Sequence, residues 1–118
     1  MLINYSHVKR IFIVCGKTDM RQGIDGLARI VSDTYHLDLF DNALFLFCGG
    51  KSDRFKALYW DQDGFILLYK RLEFGKLQWP RKKEEVQQLT SQELRWLLEG
   101  LSLQQPKALK TMQPGRIN

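Results

Sequence analysis

Two short stretches of this chain are apolar at every position: residues 11–15, Ile-Phe-Ile-Val-Cys, and residues 43–48, Ala-Leu-Phe-Leu-Phe-Cys. A strand that is apolar on both faces belongs in the middle of a sheet. The first is predicted to run over residues 8–15 and to stop at Gly16. The second stops at Gly49 and Gly50. Between them Ile24, Leu27, Ala28, Val31 and Tyr35 recur on one face of an amphipathic helix. Thr18 or Asp19 is placed to cap that helix. Gly23 and Gly26 cost it about 1 kcal/mol each relative to alanine, which close packing of backbone on the sheet or on a partner would explain.

Residues 55–60 and 65–72 read as two further strands. They are joined through Asp61-Gln62-Asp63-Gly64, since Asp-Gly between apolar runs marks a hairpin whose turn needs positive φ. Residues 77–79 offer a short fourth pairing that Pro80 ends. Residues 81–88 are charged and read as linker or helix start. Thr90 and Glu93 form a capping box, stapled by Leu89 and Leu94. Leu94, Leu97, Leu98 and Leu101 supply the apolar face of the last helix, and Gly100 closes it. The expected class is α+β: a single domain with a mostly antiparallel sheet of four or so strands, a β-hairpin meander and two helices. Whether the first strand pairs in parallel with a later one is left open. Residues 1–101 are expected to form the compact domain and residues 102–118 a mobile tail.

Composition narrows the function. The chain has 118 residues, room for one domain. The longest apolar run is 43–48, far short of the roughly 20 residues a membrane span needs. The start, Met-Leu-Ile-Asn-Tyr-Ser-His, carries no basic, then apolar, leader pattern. Two cysteines are too few for a disulfide framework. A cytoplasmic protein is expected, with no membrane contact. His7, His36, Cys15 and Cys48 have no metal-type spacing, and no nucleophile–base pattern stands out. Gly49-Gly50-Lys51-Ser52 is similar to the end of a phosphate-binding loop, but Phe45 stands where its first glycine should be. Asp19, Asp25, Asp53, Asp61 and Asp63 are the carboxylates available to magnesium, but Asp19 is read as a cap and Asp61 and Asp63 as turn formers, and 118 residues leave little room for a nuclease core. No catalytic residue, metal or cofactor is assigned.

Charge is the informative feature. Residues 1–50 and 84–118 are each balanced, so the net charge of +5 lies in residues 51–83. That third also holds seven of the 14 aromatic residues, and bases interleaved with aromatics suit nucleic acid. The ordinary alternative is a solvated basic face over an aromatic core. The candidate DNA-binding residues are Arg21, Lys51, Arg54, Lys56, Lys70, Arg71, Lys76, Arg81, Lys82 and Lys83. Alternation along a strand puts Arg54 and Lys56 on one face and forces Lys70 and Arg71 onto opposite ones. Arg21, expected in the first helical turn, either joins an anion site or pairs with Asp25.

Several segments, taken in order, carry a family resemblance. They are Thr18-Asp19-Met20-Arg21-Gln22-Gly23-Ile24-Asp25-Gly26-Leu27-Ala28, Leu44-Phe45-Leu46-Phe47-Cys48-Gly49, and Asp53-Arg54-Phe55-Lys56-Ala57-Leu58-Tyr59-Trp60-Asp61. Tyr69-Lys70-Arg71-Leu72-Glu73-Phe74-Gly75-Lys76, Trp79-Pro80 and Leu97-Leu98-Glu99-Gly100 follow. The set resembles the TnpB accessory proteins of bacterial insertion sequences of the IS sixty-six family, which are distinct from the RNA-guided nucleases of the same name. The resemblance implies a non-catalytic helper of transposition, encoded beside a separate transposase. Family members often carry more arginine in the loop filled here by Gly50-Lys51-Ser52. Two roles stay open: a DNA-binding factor, and an adaptor that binds the transposase without touching DNA. Neither the DNA sequence recognised nor the oligomeric state is legible.

Overall fold

The computed structural model describes residues 8–82 and 85–100. Lys83, Leu101 and the expected tail over residues 102–118 lie outside the described residues, as does the boundary drawn at 101. Strand β1 (Arg10–Val14) leads through a long connection to helix α1 (Ile24–Arg29), which a π-helical turn, Ile30–Thr34, extends. Then follow β2 (Ala43–Cys48), β3 (Arg54–Asp61), β4 (Gly64–Arg71), β5 (Val86–Leu89) and helix α2 (Ser91–Leu98). The five strands form one sheet in the order β4-β3-β2-β1-β5. The class is α+β, with a mostly antiparallel sheet.

The one parallel pair is β1 with β2, in register Ile11↔Leu44 and Ile13↔Leu46. Parallel neighbours need a crossover of a dozen or more residues, and the segment that carries α1 supplies it. Both central strands are covered on both sides. Leu27 and Val31 of the α1 segment pack with Val14, Phe45, Phe47 and Leu58 on one face. On the other, Leu77, Trp79 and Leu97 pack with Ile13, Leu46, Cys48 and Ala57. This double cover is why the two runs are apolar at every position.

Several expectations are corrected. The sheet has a fifth strand, β5, in residues read as linker or helix start. It pairs antiparallel with β1 (Ile11↔Leu89, Val14↔Val86). Residues 77–79 form no strand; Leu77 and Trp79 are instead buried side chains of an irregular segment. Trp79 Nε1 donates to the Val14 carbonyl at 3.0 Å, which satisfies the indole and pins the segment across the sheet. Helix α1 starts at Ile24 behind Gly23, with no side-chain cap, so neither Thr18 nor Asp19 caps it. A Cβ on Gly23 would meet nothing, and one on Gly26 would meet only the Gln22 side chain. Neither glycine marks a close approach to the sheet.

The hairpin turn has two residues, Gln62 and Asp63, between the paired Asp61 and Gly64. The positive φ expected of the Asp-Gly step falls on Gln62, at 60°. The capping box of α2 is present in full: Glu93 N–H donates to Thr90 Oγ1 at 3.1 Å, and Thr90 N–H donates to Glu93 Oε1 at 2.9 Å. Gly100 follows α2 with φ 79°, the conformation a helix-terminating glycine supplies.

Candidate nucleic-acid interface

Strand direction decides where the cations go. The carboxyl ends of β1, β2 and β4 and the amino ends of β3 and β5 all lie at one end of the sheet. The described loop residues at that end are 15–23, 49–53, 72–82 and 85. They and the adjoining strand ends carry Lys17, Arg21, Lys51, Arg54, Lys56, Lys70, Arg71, Lys76, Arg81 and Lys82. Against these stand Asp19, Asp53, Glu73 and Glu85. The opposite end carries Asp38, Asp41, Asp61 and Asp63 with Lys9 and Arg10, and Arg10 is paired with Asp41. The charge is therefore polarised along the strands rather than spread over a hairpin face.

The cations at this end fall into two groups. The arginines are engaged. Arg21 is not in a helical turn and pairs with Asp19, not Asp25: its guanidinium lies 2.8 Å from Asp19 Oδ2. Asp19 also accepts the Arg21 backbone N–H at 3.0 Å. The Arg21 side-chain hydrogen bond is the main reason the Asp19 carboxyl titrates at about 2. Arg54 pairs with Asp53 at 2.9 Å, half-buried, and that hydrogen bond lowers the Asp53 carboxyl and raises the guanidinium. Arg71 pairs with Glu73 at 2.9 Å.

Arg81 is a clasp. It donates to the Gly16 carbonyl at 2.9 Å, to the Gly49 carbonyl at 2.8 Å and to Ser52 Oγ, which ties three loops together. Neighbouring backbone bonds run the same way: Thr18 N–H to Cys48 O and Gly16 N–H to Pro80 O. Lys56 is also held. Its Nζ donates to the Gln22 carbonyl at 2.8 Å and lies 5.6 Å from the centre of the Tyr69 ring.

The lysines form the second group. Lys17, Lys51, Lys70, Lys76 and Lys82 are exposed and make no ion pair among the described residues. Lys70 is set apart, because it pairs across from Phe55 and so faces α2, while Arg54, Lys56 and Arg71 face α1. Two contributors were not singled out from sequence. Lys17 sits in a charge-balanced stretch and joins the patch only through the fold. Phe74 is 93% exposed at the tip of the loop after β4. That loop is closed at its base by Leu72 N–H to Asp53 O and Leu77 N–H to Ser52 O. An exposed ring beside lysines is suited to stacking on a base.

The two thiols here are inert by environment. Burial pushes both Cys15 and Cys48 up. Among the described residues no group of three His, Cys, Asp or Glu side chains could hold a metal ion. No helix among them is long and apolar enough to cross a membrane.

Comparison with known proteins settles the family. A family model described as "IS66 Orf2 like protein" matches residues 9–108. The chain belongs to this family. It is 29% identical over 116 residues to the uncharacterized protein y4jC of Sinorhizobium fredii, covering 98% of this chain and 99% of that one. It is 32% identical over 108 residues to the uncharacterized protein y4hO of the same organism, covering 92% of each. No solved structure matches the chain. Membership makes this IS66 Orf2-like protein an accessory of insertion-sequence transposition.

The clasp yields a test. Arg81→Ala leaves the Gly16 and Gly49 carbonyls without their charged donor and is expected to cost about 2 kcal/mol of stability in urea unfolding. It should lower the salt slope of any DNA binding by no more than one charge. A variant as stable as the parent would contradict the clasp.

Proposed function

We propose that this transposition accessory protein holds DNA on the cationic end of its sheet. The observation that carries the reading is the convergence at one end of lysines that make no ion pair among the described residues. They come from three connections: after β1 (Lys17), after β2 (Lys51), and between β4 and β5 (Lys76 and Lys82). An arginine already neutralised by an adjacent carboxylate gains less from a phosphate than a solvated, unpaired ammonium does. The lysines are therefore the phosphate contacts, and the arginines shape and rigidify the surface. Such contacts position a protein on DNA without reading its sequence. Phe74 adds a stacking surface for unpaired bases.

A second reading rests on a different surface. A groove of about 590 Å³ runs between α2 and the β3–β4 side of the sheet, lined by Phe55, Leu68, Leu94 and Leu98. Leu98 is 46% exposed although it lies on the leucine-rich side of α2. The groove suits the transposase as partner, and it leaves the DNA surface free. Leu98→Asp should fold and lose retention of purified transposase in nuclease-treated buffer. Retention unchanged by that substitution would remove the groove from the account.

DNA binding is tested by the salt dependence of fluorescence anisotropy with duplex DNA. Each phosphate neutralised contributes about 0.9 to the slope of log K against log salt. Combined Lys17→Ala, Lys51→Ala and Lys82→Ala should reduce the slope by about 2–3, while Arg54→Ala should change it by less than 1. No binding at low salt, or a slope indifferent to the lysines, would overturn the reading.

A further inference from the structure

The carboxyl ends of the two parallel strands diverge into a cleft of about 710 Å³, within the range of small-ligand sites, about 300–1,000 Å³. Its wall is apolar, with Val14, Ile30 and Tyr35, and its rim carries Lys17 and Arg81 together with Asp19, which is already paired with Arg21. Three independent features converge here. Crevices outside the carboxyl ends of parallel strands are where open α/β sheets take ligands. The wall is built by the π-helical turn, in which the Tyr35 N–H bonds back to the Ile30 carbonyl at 3.3 Å; π-turns inside helices cluster at functional sites. The rim is continuous with the cationic end, since Lys17 and Arg81 belong to both. An apolar interior under a rim with two cations and one already-paired carboxylate fits a heterocycle that carries a phosphate.

We propose that this cleft takes a single nucleotide, with its base against Val14, Ile30 and Tyr35 and its phosphate at Lys17, on the rim that the Arg81 clasp holds in place. The inference rests on the DNA reading above for the source of the nucleotide: a base at an unpaired strand end, which enters without the cost of leaving a duplex. A free nucleotide offers the same chemistry. The protein would then prefer DNA with a single-stranded end to blunt duplex.

Gly50 makes the test clean. It lies on the cleft wall with an ordinary backbone conformation, and a Cβ there would meet only the Lys17 side chain, at 3.7 Å. Gly50→Leu therefore fills the cleft without straining the loop, and its thermal melt should match the parent's. Anisotropy is measured with a blunt duplex, with the same duplex bearing a single-stranded overhang, and with a deoxynucleoside monophosphate as competitor. The overhang should bind about tenfold tighter than the blunt form, the scale of one stacked base. Gly50→Leu should erase that advantage while leaving blunt-duplex affinity within about twofold.

If the monophosphate alone binds the parent and not Gly50→Leu, the site stands and also accepts free nucleotide. Equal binding of blunt and overhang DNA, with no monophosphate binding, overturns the cleft while leaving the duplex reading intact. An overhang preference that survives Gly50→Leu overturns it too. Failure to bind any duplex ends the DNA reading instead, and the monophosphate arm then decides the cleft alone: binding that Gly50→Leu abolishes supports it, and no binding overturns it.

Discussion

Parallel strands cannot be joined by a tight turn, and the pairing of β1 with β2 therefore governs much of this molecule. It forces the crossover that α1 occupies, so one face of the sheet is covered by the connection itself. It brings the carboxyl ends of β1 and β2 to the same end. It leaves the far side of β1 for β5, which only the returning chain can reach. Because both strands are then covered on both faces, the run from Ile11 to Val14 and all of β2 are apolar, and the one charged residue of the two strands, Arg10, sits exposed at the end of β1. Charge is excluded from the centre and pushed to the strand ends.

That exclusion gives the protein its polarity. The loops at one end carry the lysines that make no ion pair among the described residues, and the loops at the other carry Asp38, Asp41, Asp61 and Asp63. A rigid cationic end needs loops that do not wander, and the arginines serve this need. Arg81 ties three of the loops, and Arg21, Arg54 and Arg71 are each locked to a carboxylate within two residues. The guanidinium fork suits multiple fixed acceptors, while an ammonium on a flexible stem suits a mobile phosphate. In the proposed DNA-binding role, the division of labour between the two residue types follows from their geometry.

The features legible in the sequence were the local ones. The capping box at Thr90 and Glu93 needs only four residues, the hairpin needs only its turn, and each formed where expected. The opposed facing of Lys70 and Arg71 follows from the period of a strand alone. What failed to show depends on distant partners. Val86-Gln87-Gln88-Leu89 has too little apolar character to announce a strand, and becomes one because β1 offers an open edge. The carbonyls that hold Arg81 are 65 and 32 residues away from it in sequence. Charge counting pointed to residues 51–83 but counted every cation equally. Only the fold separates Arg54, in an ion pair with Asp53, from Lys51, which makes no ion pair among the described residues, and adds Lys17 from a stretch that looked neutral. Transposition was legible through the family resemblance, not through any catalytic pattern.

The central claim is that function sits at one end of the sheet. It is tested most directly by backbone amide chemical-shift mapping of the protein with duplex DNA at low salt. Perturbations are expected in the loops around Lys17, Lys51, Lys76 and Lys82, with the Gln62–Asp63 turn and the Asp38–Asp41 connection unmoved. Shifts centred on that turn, or spread along α2 with the lysine loops silent, would contradict the account.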